Sequence, residues 1–205
     1  PVLKVYDRPE DFNLEELPNR FAIKSNHSNN QVILCKDKSK QNRNDVVATM
    51  KNWLSKPFGV ATCEPHYMYI QRKCYVEELV ITPGQNDVVD YKFLCFGGKP
   101  LYMQLIQDRR GPNRRLQYYD MNMKFVDFCR MDFKNRPDLK SKDVLPAQFE
   151  LMKEYAEKLA TPFKFVRVDF FEANGQVYLG EMTFVPGAAK FNYAKAQTSI
   201  MLGDM

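Results

Sequence analysis

The sequence predicts an α+β fold. Three observations carry this. Short apolar runs bounded by Gly, Pro and polar clusters recur along most of the chain, as strands do. Helical periodicity is confined to two or three stretches. The chain has 205 residues, 44% hydrophobic and 27% charged, enough for one large domain or two small lobes with a sizeable core.

Each element is readable in order. Residues 1–20 form an entry segment. Phe21 to Ile23 make a short strand ending at Lys24, and the polar loop SNHSNNQ leads to a second strand, Val32 to Cys35. After the polar KDKSKQNRND, Asp45 is placed to cap a helix in which Val46, Met50 and Trp53 or Leu54 share a face. CYVEELVI, Cys74 to Ile81, reads as a strand running into a Pro83-Gly84 turn. DYKFLCF and PLYMQLIQD make a strand pair joined by Gly97-Gly98, and RRGPNRR, Arg109 to Arg115, is a basic turn. RPDLKSKDV is a polar connector. LPAQFELMKEYAEKLA is the clearest helix, with Leu145, Phe149, Met152, Ala156 and Leu159 recurring along one face. A closing hairpin runs from Arg167 to Ala189. No internal repeat or low-complexity segment interrupts the chain.

Composition excludes several classes. No run approaches the roughly 18 apolar residues of a membrane span, and no signal-peptide pattern opens the chain. Pro1 stands where a methionine would, which fits either loss of an initiator Met or a piece of something longer. The net charge of +5 permits anionic partners but fits a solvated basic face equally well. The five cysteines, Cys35, Cys63, Cys74, Cys95 and Cys129, are odd in number and never in a CxxC pair. Four sit beside apolar residues as buried thiols do, which argues for a reducing compartment and against a zinc site. His27 and His66 are too few and too isolated for a histidine metal site.

The closing hairpin, RVDFFEANGQVYLGEMTFVPGAA, sets an arginine and two carboxylates among core-grade residues. Side chains alternate faces along a strand, so the turn decides where the charges point. A two-residue Asn174-Gly175 turn pairs Ala173 with Gln176 and sends Asp169 and Glu181 to opposite faces. A three-residue loop closing at Gly175 pairs Glu172 with Gln176 and sets Arg167 opposite Glu181. The second register is preferred. It gathers Arg167, Asp169, Glu181 and Thr183 on one face and leaves Val166, Val168 and Phe170 with Tyr178, Gly180 and Met182 on the other. Asp169 and Glu181 then become diagonal neighbours about 7–8 Å apart. Two carboxylates that close repel unless a positive group intervenes. A divalent cation with oxygen ligands such as Mg²⁺ fits the gap, and so does an Arg167–Glu181 ion pair on a solvated sheet face.

Two further constellations are weaker alone. Lys24 at a strand end, followed by Ser25, Asn26, His27, Ser28 and two asparagines, can clamp phosphates through backbone N–H groups, hydroxyls and its ammonium. It lacks the glycines of a P-loop, and a plain surface loop reads the same way. In VEELV, Glu77 and Glu78 interrupt an apolar strand, as on an exposed edge.

Together these residues resemble the ATP-grasp superfamily, and the closing hairpin is similar to the RVDFF…EINT-PG motif of D-alanine–D-alanine ligases. The whole chain looks closest to the TupA-like ATP-grasp family, associated with bacterial cell-surface polymer synthesis. Its markers run LP-FVIK-NHGSG, an EE strand, DYKF-CF-G, D-R, YD-N and RVDFY…GE-TF-P. Here they stand as LPNRFAIKSNHSNN, VEELV, DYKFLCFGGKP, QDRR, YYDMNMKF and RVDFFEANGQVYLGEMTFVPG, in order over nearly the whole chain. The resemblance implies two α+β lobes, 1–76 and 77–205, with the nucleotide held between antiparallel sheets. It also implies that the domain preceding the lobes in complete ATP-grasp ligases is absent or truncated.

The resemblance further implies roles. Lys24 would contact ATP phosphates, with Ser25 to Asn30, including Asn26, His27 and Ser28, as a mobile flap. Glu77, Glu78 and the Leu79 backbone would line the adenine pocket, and Asp90 is counted with the cofactor-binding residues. Asp169 and Glu181, with Thr183, would hold Mg²⁺. Arg167 would stabilise the transferred phosphoryl group, while Lys124 and Arg109 would face phosphate or acceptor. The chemistry implied is ATP-dependent carboxylate–amine ligation on a small-molecule or polymer-precursor acceptor in cell-surface polysaccharide synthesis. The setting would be cytoplasmic, with peripheral association to a membrane-linked substrate and no specific nucleic acid. The alternatives are a phosphotransferase acting on a sugar or lipid-linked acceptor, or a degenerate nucleotide-binding module. Two departures bear on these roles. The flap reads NHSNN without a glycine, and Thr183 stands where broader ATP-grasp ligases place a metal-binding Asn.

Overall fold

The computed structural model describes residues 1–29, 31–59, 64–80, 89–109, 111, 114–128, 145–189, 192–193 and 195–205. Asn30, Cys63, Ile81, the Pro83-Gly84 turn, Arg110, Pro112, Asn113, Cys129 and the RPDLKSKDV connector lie outside the described residues. The chain divides into two compact units, Pro1–Val80 and Ile81–Met205, each an α+β layer of antiparallel sheet and helix.

The first unit holds β1 (Val2–Tyr6), β2 (Phe21–Ser25), β3 (Val32–Cys35), α1 (Arg43–Ser55) and β4 (Cys74–Glu78). The sheet order is β1-β4-β2-β3, antiparallel throughout. Helix α1 lays Val46, Met50 and Trp53 on Phe21, Ile23, Cys35 and Val76. Each large side chain so buried is worth about 1.5–3 kcal/mol of transfer free energy. The expected strands and helix face are present, with three corrections. The entry segment supplies β1, which pairs with β4 more than sixty residues away. The helix begins three residues before Val46, and its cap is Asn42, whose side chain accepts from the N–H groups of Asn44 and Asp45. Asp45 sits instead in the first turn, where its charge favours the positive helix end. β4 ends at Glu78 rather than Ile81.

The second unit is built on a six-stranded sheet. Its members are β5 (Asp90–Phe96), β6 (Lys99–Gln107), β7 (Arg115–Asp120), β8 (Phe125–Val126), β9 (Phe165–Ala173) and β10 (Gln176–Thr183). Their order is β10-β9-β5-β6-β7-β8. Gly97 and Gly98, both at positive φ, make the expected tight turn between β5 and β6. One sheet face carries Tyr91, Phe93, Cys95, Met103, Val166, Val168 and Phe170 against α2 (Phe149–Ala160), which contributes Phe149, Met152, Ala156 and Ala160. Leu145 was expected on that helix face but precedes the helix and is 44% exposed; Pro146 disfavours helical backbone at the residue before it. Arg115, expected at the end of a basic turn, begins β7. A last helix, α3 (Ala196–Gly203), sets Met201 and Leu202 beside Leu94, Tyr118 and Phe128 on the sheet face opposite α2.

The closing hairpin corrects the preferred register. Asn174 and Gly175 both take positive φ, as a two-residue type I′ turn requires, and Ala173 pairs with Gln176. A bulge between Leu179 and Glu181 then shifts the pairing by one residue, so Glu181 lies opposite Asp169 and Thr183 opposite Arg167. Gly180 is the extra residue. The charges do share one face, but the bulge gathers them, not the turn. Before the bulge the faces are reversed from the expectation. Val177 packs into the α2 core, and Tyr178 stacks on Phe171 on the charged side.

Candidate functional site

On the sheet face opposite α2, six ionisable side chains join into one line of alternating charge. Arg109 Nη1 lies 3.3 Å from Asp90 Oδ2. Asp90 Oδ1 lies 3.8 Å from Lys92 Nζ. Lys92 donates to Asp169 Oδ2. Arg167 grips the same carboxylate with Nε to Oδ1 at 2.6 Å and Nη2 to Oδ2 at 2.7 Å. Arg167 Nη2 also donates to Glu181 Oε1 at 2.9 Å and to Thr183 Oγ1 at 3.0 Å.

Strand register explains the gathering. Asp90 and Lys92 alternate with Tyr91 and Phe93 on β5, and Arg167 and Asp169 alternate with Val166, Val168 and Phe170 on β9. Lys92 pairs with Asp169, and Asp169 with Glu181. One transverse row therefore crosses three strands as Lys92, Asp169 and Glu181. The row continues on β6 and β7 as Gln104 and Tyr118, whose side chains are joined at 2.6 Å.

The centre of this line is dry. Lys92 and Asp169 are each 3% exposed. Burial pushes the Asp169 carboxyl up, but the Lys92 ammonium and then the Arg167 guanidinium outweigh it and hold the group below its ordinary value. Burial works against the Arg167 charge, and the Asp169 carboxylate overcomes that and raises it. Glu181 is pushed up, by loss of water first and by repulsion from Asp169 second. Its side chain is nevertheless 54% exposed, so solvent screens both effects. Buried ion pairs seldom stabilise a fold more than apolar packing would. A buried arginine and lysine around one aspartate make this cluster a candidate site for binding or chemistry.

Three oxygens, from Asp169, Glu181 and Thr183, converge within 2.7–3.0 Å of a single nitrogen, Arg167 Nη2. These are the three residues the sequence nominates for a metal. Two carboxylates and a hydroxyl suit a hard cation that takes its remaining ligands from phosphate or water. The donor set therefore fits Mg²⁺, and the guanidinium stands in for a cation at the point of convergence. Among the described residues, no three His, Cys, Asp or Glu side chains cluster so as to hold a metal unaided.

Arg109, Asp90, Arg167, Asp169, Glu181 and Thr183 thus come together. Lys92 joins them and was not nominated from sequence. Its signal was available: a lysine midway along an otherwise apolar strand needs a buried acid. Lys124 lies apart. It closes the turn after β7, where its N–H donates to Asp120 Oδ1 and its carbonyl accepts from the Asp120 N–H. Met123 takes positive φ in that turn. An open cavity of about 440 Å³ beside it is lined by Tyr102, Asp120, Asn122, Lys153 and Glu157 and contains no member of the charge line.

The remaining nominees belong to the first unit. Lys24, on β2, pairs with Glu77 of β4, because Ala22 is the register partner of Glu77 and Lys24 follows two residues on along the same face. Asn26 is held against the chain entering β4, with Nδ2 donating to Gln71 O and Oδ1 accepting from the Lys73 N–H, both at 2.8 Å. His27 is fully buried, with Nε2 3.2 Å from Trp53 O. Ser25 is buried, and Glu78 is exposed with its N–H donating to Pro1 O. Ser28 and Leu79 are partly buried. Burial pushes the Cys74 and Cys95 thiols up to about 12. Cys35 is buried as well, and all three are free.

Comparison with known proteins agrees with this architecture. The family model described as TupA-like ATPgrasp matches residues 1–205. None of the curated proteins matches the chain. Among solved structures, D-alanyl-alanine synthetase A from Vibrio cholerae is 13% identical, with a TM-score of 0.54 over 93% of this chain and 51% of that one. D-alanine–D-alanine ligase from Bacillus anthracis complexed with ATP is 15% identical, with a TM-score of 0.47 over 90% of this chain and 47% of that one. The chain spans about half the length of these neighbours. No described helix is long and apolar enough to cross a membrane. With the antiparallel α+β layers, the ordered markers and a family match that runs end to end, the chain belongs to the TupA-like ATP-grasp family.

Proposed function

We propose that this chain carries the nucleotide-dependent part of a carboxylate–amine ligase acting on a precursor of a bacterial cell-surface polysaccharide or other polymer. The observation that supports it most is the convergence of Asp169, Glu181 and Thr183 oxygens on Arg167 Nη2, in a chain whose family is ATP-grasp. In the reaction the terminal phosphoryl group of ATP moves to a substrate carboxylate. The bond to the ADP oxygen breaks, and a new P–O bond makes an acyl phosphate. An amine then attacks the acyl carbon, phosphate leaves, and an amide forms.

Asp169, Glu181 and Thr183 are the residues that would hold Mg²⁺, which when bound neutralises phosphate charge and orients the transferring group. Arg167 carries the charge that develops on the phosphoryl group, since catalysis of such transfers rests on positioned cations. Lys92 keeps Asp169 ionised and fixed in place. Arg109, whose side chain is 52% exposed, is free to face an anionic substrate. Lys24 contacts phosphate, with Ser25, Asn26 and Ser28 contributing polar groups. His27 anchors that loop to α1 through the Trp53 carbonyl. Glu77 holds Lys24 in the absence of nucleotide, and Glu78 and Leu79 serve the base.

A nucleotide thermal-shift series with and without Mg²⁺, on wild type and Asp169→Asn, is the first test. Wild type should gain stability with ATP and Mg²⁺ together, and the variant should not. ADP and phosphate release that requires an acceptor, and that collapses in Asp169→Asn and Glu181→Gln, identifies the ligase. A stable phosphorylated sugar or lipid acceptor without free phosphate would replace it with a phosphotransferase. Tight ATP binding without turnover across a broad acceptor panel would leave a nucleotide-binding module.

A further inference from the structure

The second unit holds a cavity that the charge line does not enter. It is open to solvent and about 440 Å³ in volume, within the range of pockets that hold small ligands. Three elements build it. The start of β6 brings Leu101 and Tyr102, and the turn after β7 brings Asp120, Met121 and Asn122. Helix α2 brings Lys153 and Glu157, which are four residues apart and so share a helix face. The turn is preformed. Asp120 Oδ1 accepts from the N–H groups of Asn122 and Lys124, both at 2.9 Å, and the Met123 N–H donates to the Asp120 carbonyl at 3.0 Å.

Several polar groups around the cavity are uncommitted. Among the described residues, no ion pair or hydrogen bond takes up the side chains of Lys99, Asn122 or Glu157, and Lys153 has only Glu150, at 3.5 Å. Lys99 and Lys153 balance Asp120 and Glu157, so the lining carries no formal net charge. It does not select an ion of either sign. It offers donors from lysine, acceptors from the carboxylates and both from the asparagine amide. These stand beside Leu101, Met121 and the Tyr102 ring. A pyranose ring needs this mixture, because each hydroxyl both donates and accepts while the C–H face of the ring packs on apolar surface.

We propose that this cavity binds an uncharged pyranose unit of a glycan. Asn122, Lys153 and Glu157 hold the ring hydroxyls, and Leu101 and Met121 carry the C–H face. Asp120 lies on β7, three strands along the sheet from Asp169 on β9, at about 4.8 Å per strand. The sugar held here is therefore not the reacting group. The cavity retains a glycan whose reacting end lies elsewhere. That purpose rests on the polysaccharide reading above; the binding itself does not.

The test is saturation-transfer NMR with maltotriose and chitotriose, without nucleotide or metal. At least one should receive saturation on its ring protons. Asn122→Ala and Glu157→Ala should each weaken its binding about two- to tenfold, the worth of one hydrogen bond. Both side chains are exposed, so neither change threatens the fold. Asp169→Asn should bind the sugar as wild type does. No transfer to either sugar would overturn the proposal, as would unchanged binding in both cavity variants or loss of binding in Asp169→Asn. Displacement of the sugar by equimolar diglycine would replace it with a site for zwitterions. Sugar binding by a chain that shows no ATP and Mg²⁺ thermal shift would leave this site standing while the ligase reading falls.

Discussion

The two faces of the six-stranded sheet are made by the same strands and do opposite things. On β5, Tyr91, Phe93 and Cys95 face α2, while Asp90 and Lys92 face away from it. On β9, Val166, Val168 and Phe170 pack under the helix, while Arg167 and Asp169 carry the site. Strand alternation lets one short sequence build a close-packed wall and a charged floor back to back. The wall holds the floor still. Residues placed on rigid strands keep their spacing better than residues on loops. The difference teaches that burial by itself does not separate structural from functional positions here, since Phe93 and Asp169 are both buried.

Substitutions on each face should pull stability and function apart. The largest loss of stability is expected from Asp169→Ala, which strands Arg167 and Lys92 together without their shared acid. Breaking a buried pair this way costs about 3–5 kcal/mol, readable as a drop in the urea midpoint. Asp169→Asn should lose nucleotide response with a smaller stability change. Its pH behaviour has a definite sign. Asp169 lies below its ordinary value of 3.8 when folded, so its contribution is complete above that value and fades as pH falls through the folded one. The gap in melting temperature between wild type and Asp169→Asn should therefore be constant near neutrality and close in strong acid.

On the opposite face, Met152→Ala should cost roughly 3 kcal/mol through the cavity it leaves under the sheet. It should keep the ATP and Mg²⁺ thermal shift, which a substitution on the charged face would not. A smaller effect is expected at the hairpin turn. Gly175 takes φ of +72 with open space around it, so Gly175→Ala should cost about 1 kcal/mol through backbone strain alone, measured by chemical denaturation. The gentlest probe leaves the sequence intact. Cys95 on the α2 face and Cys74 in the first unit, with thiols pushed up to about 12, should resist alkylation at pH 8 until the chain is unfolded. Peptide mass spectrometry reads this directly.

Much of this architecture was legible because local signals agreed with it. Phe21 to Ile23, Val32 to Cys35 and the Val46, Met50 and Trp53 stripe are strong periodic patterns, and the glycine pair at 97–98 demands a turn. What failed were features set by distant partners. β1 is a strand because β4 accepts it along an edge, and nothing within residues 1–20 announces that. Leu145 continues the apolar spacing of α2, but Pro146 stops the helix short of it. In the site, the acids and arginine were readable from their intrusion into an apolar hairpin. The register was not, because a bulge at Gly180 leaves only a glycine as its trace. Lys92, a lone lysine in the middle of β5, requires a buried acid. Knowing that Asp169 lies beside it required the β5–β9 pairing, which spans 77 residues.

Gly180 acts on this hairpin as a half-period phase shift. In an unbroken ladder counted from the turn, Gly180 would pair with Asp169, and Glu181 would fall opposite Val168 with its carboxylate pointing into the hydrocarbon under α2; leaving Gly180 unpaired brings the acid beside Asp169. A chain that paired Gly180 with Asp169 in a regular ladder would keep every charged residue and still dismantle the constellation. Residue identity alone therefore undercounts what the motif requires, and the choice of Gly180 as the unpaired residue is as much a part of it as the acids themselves.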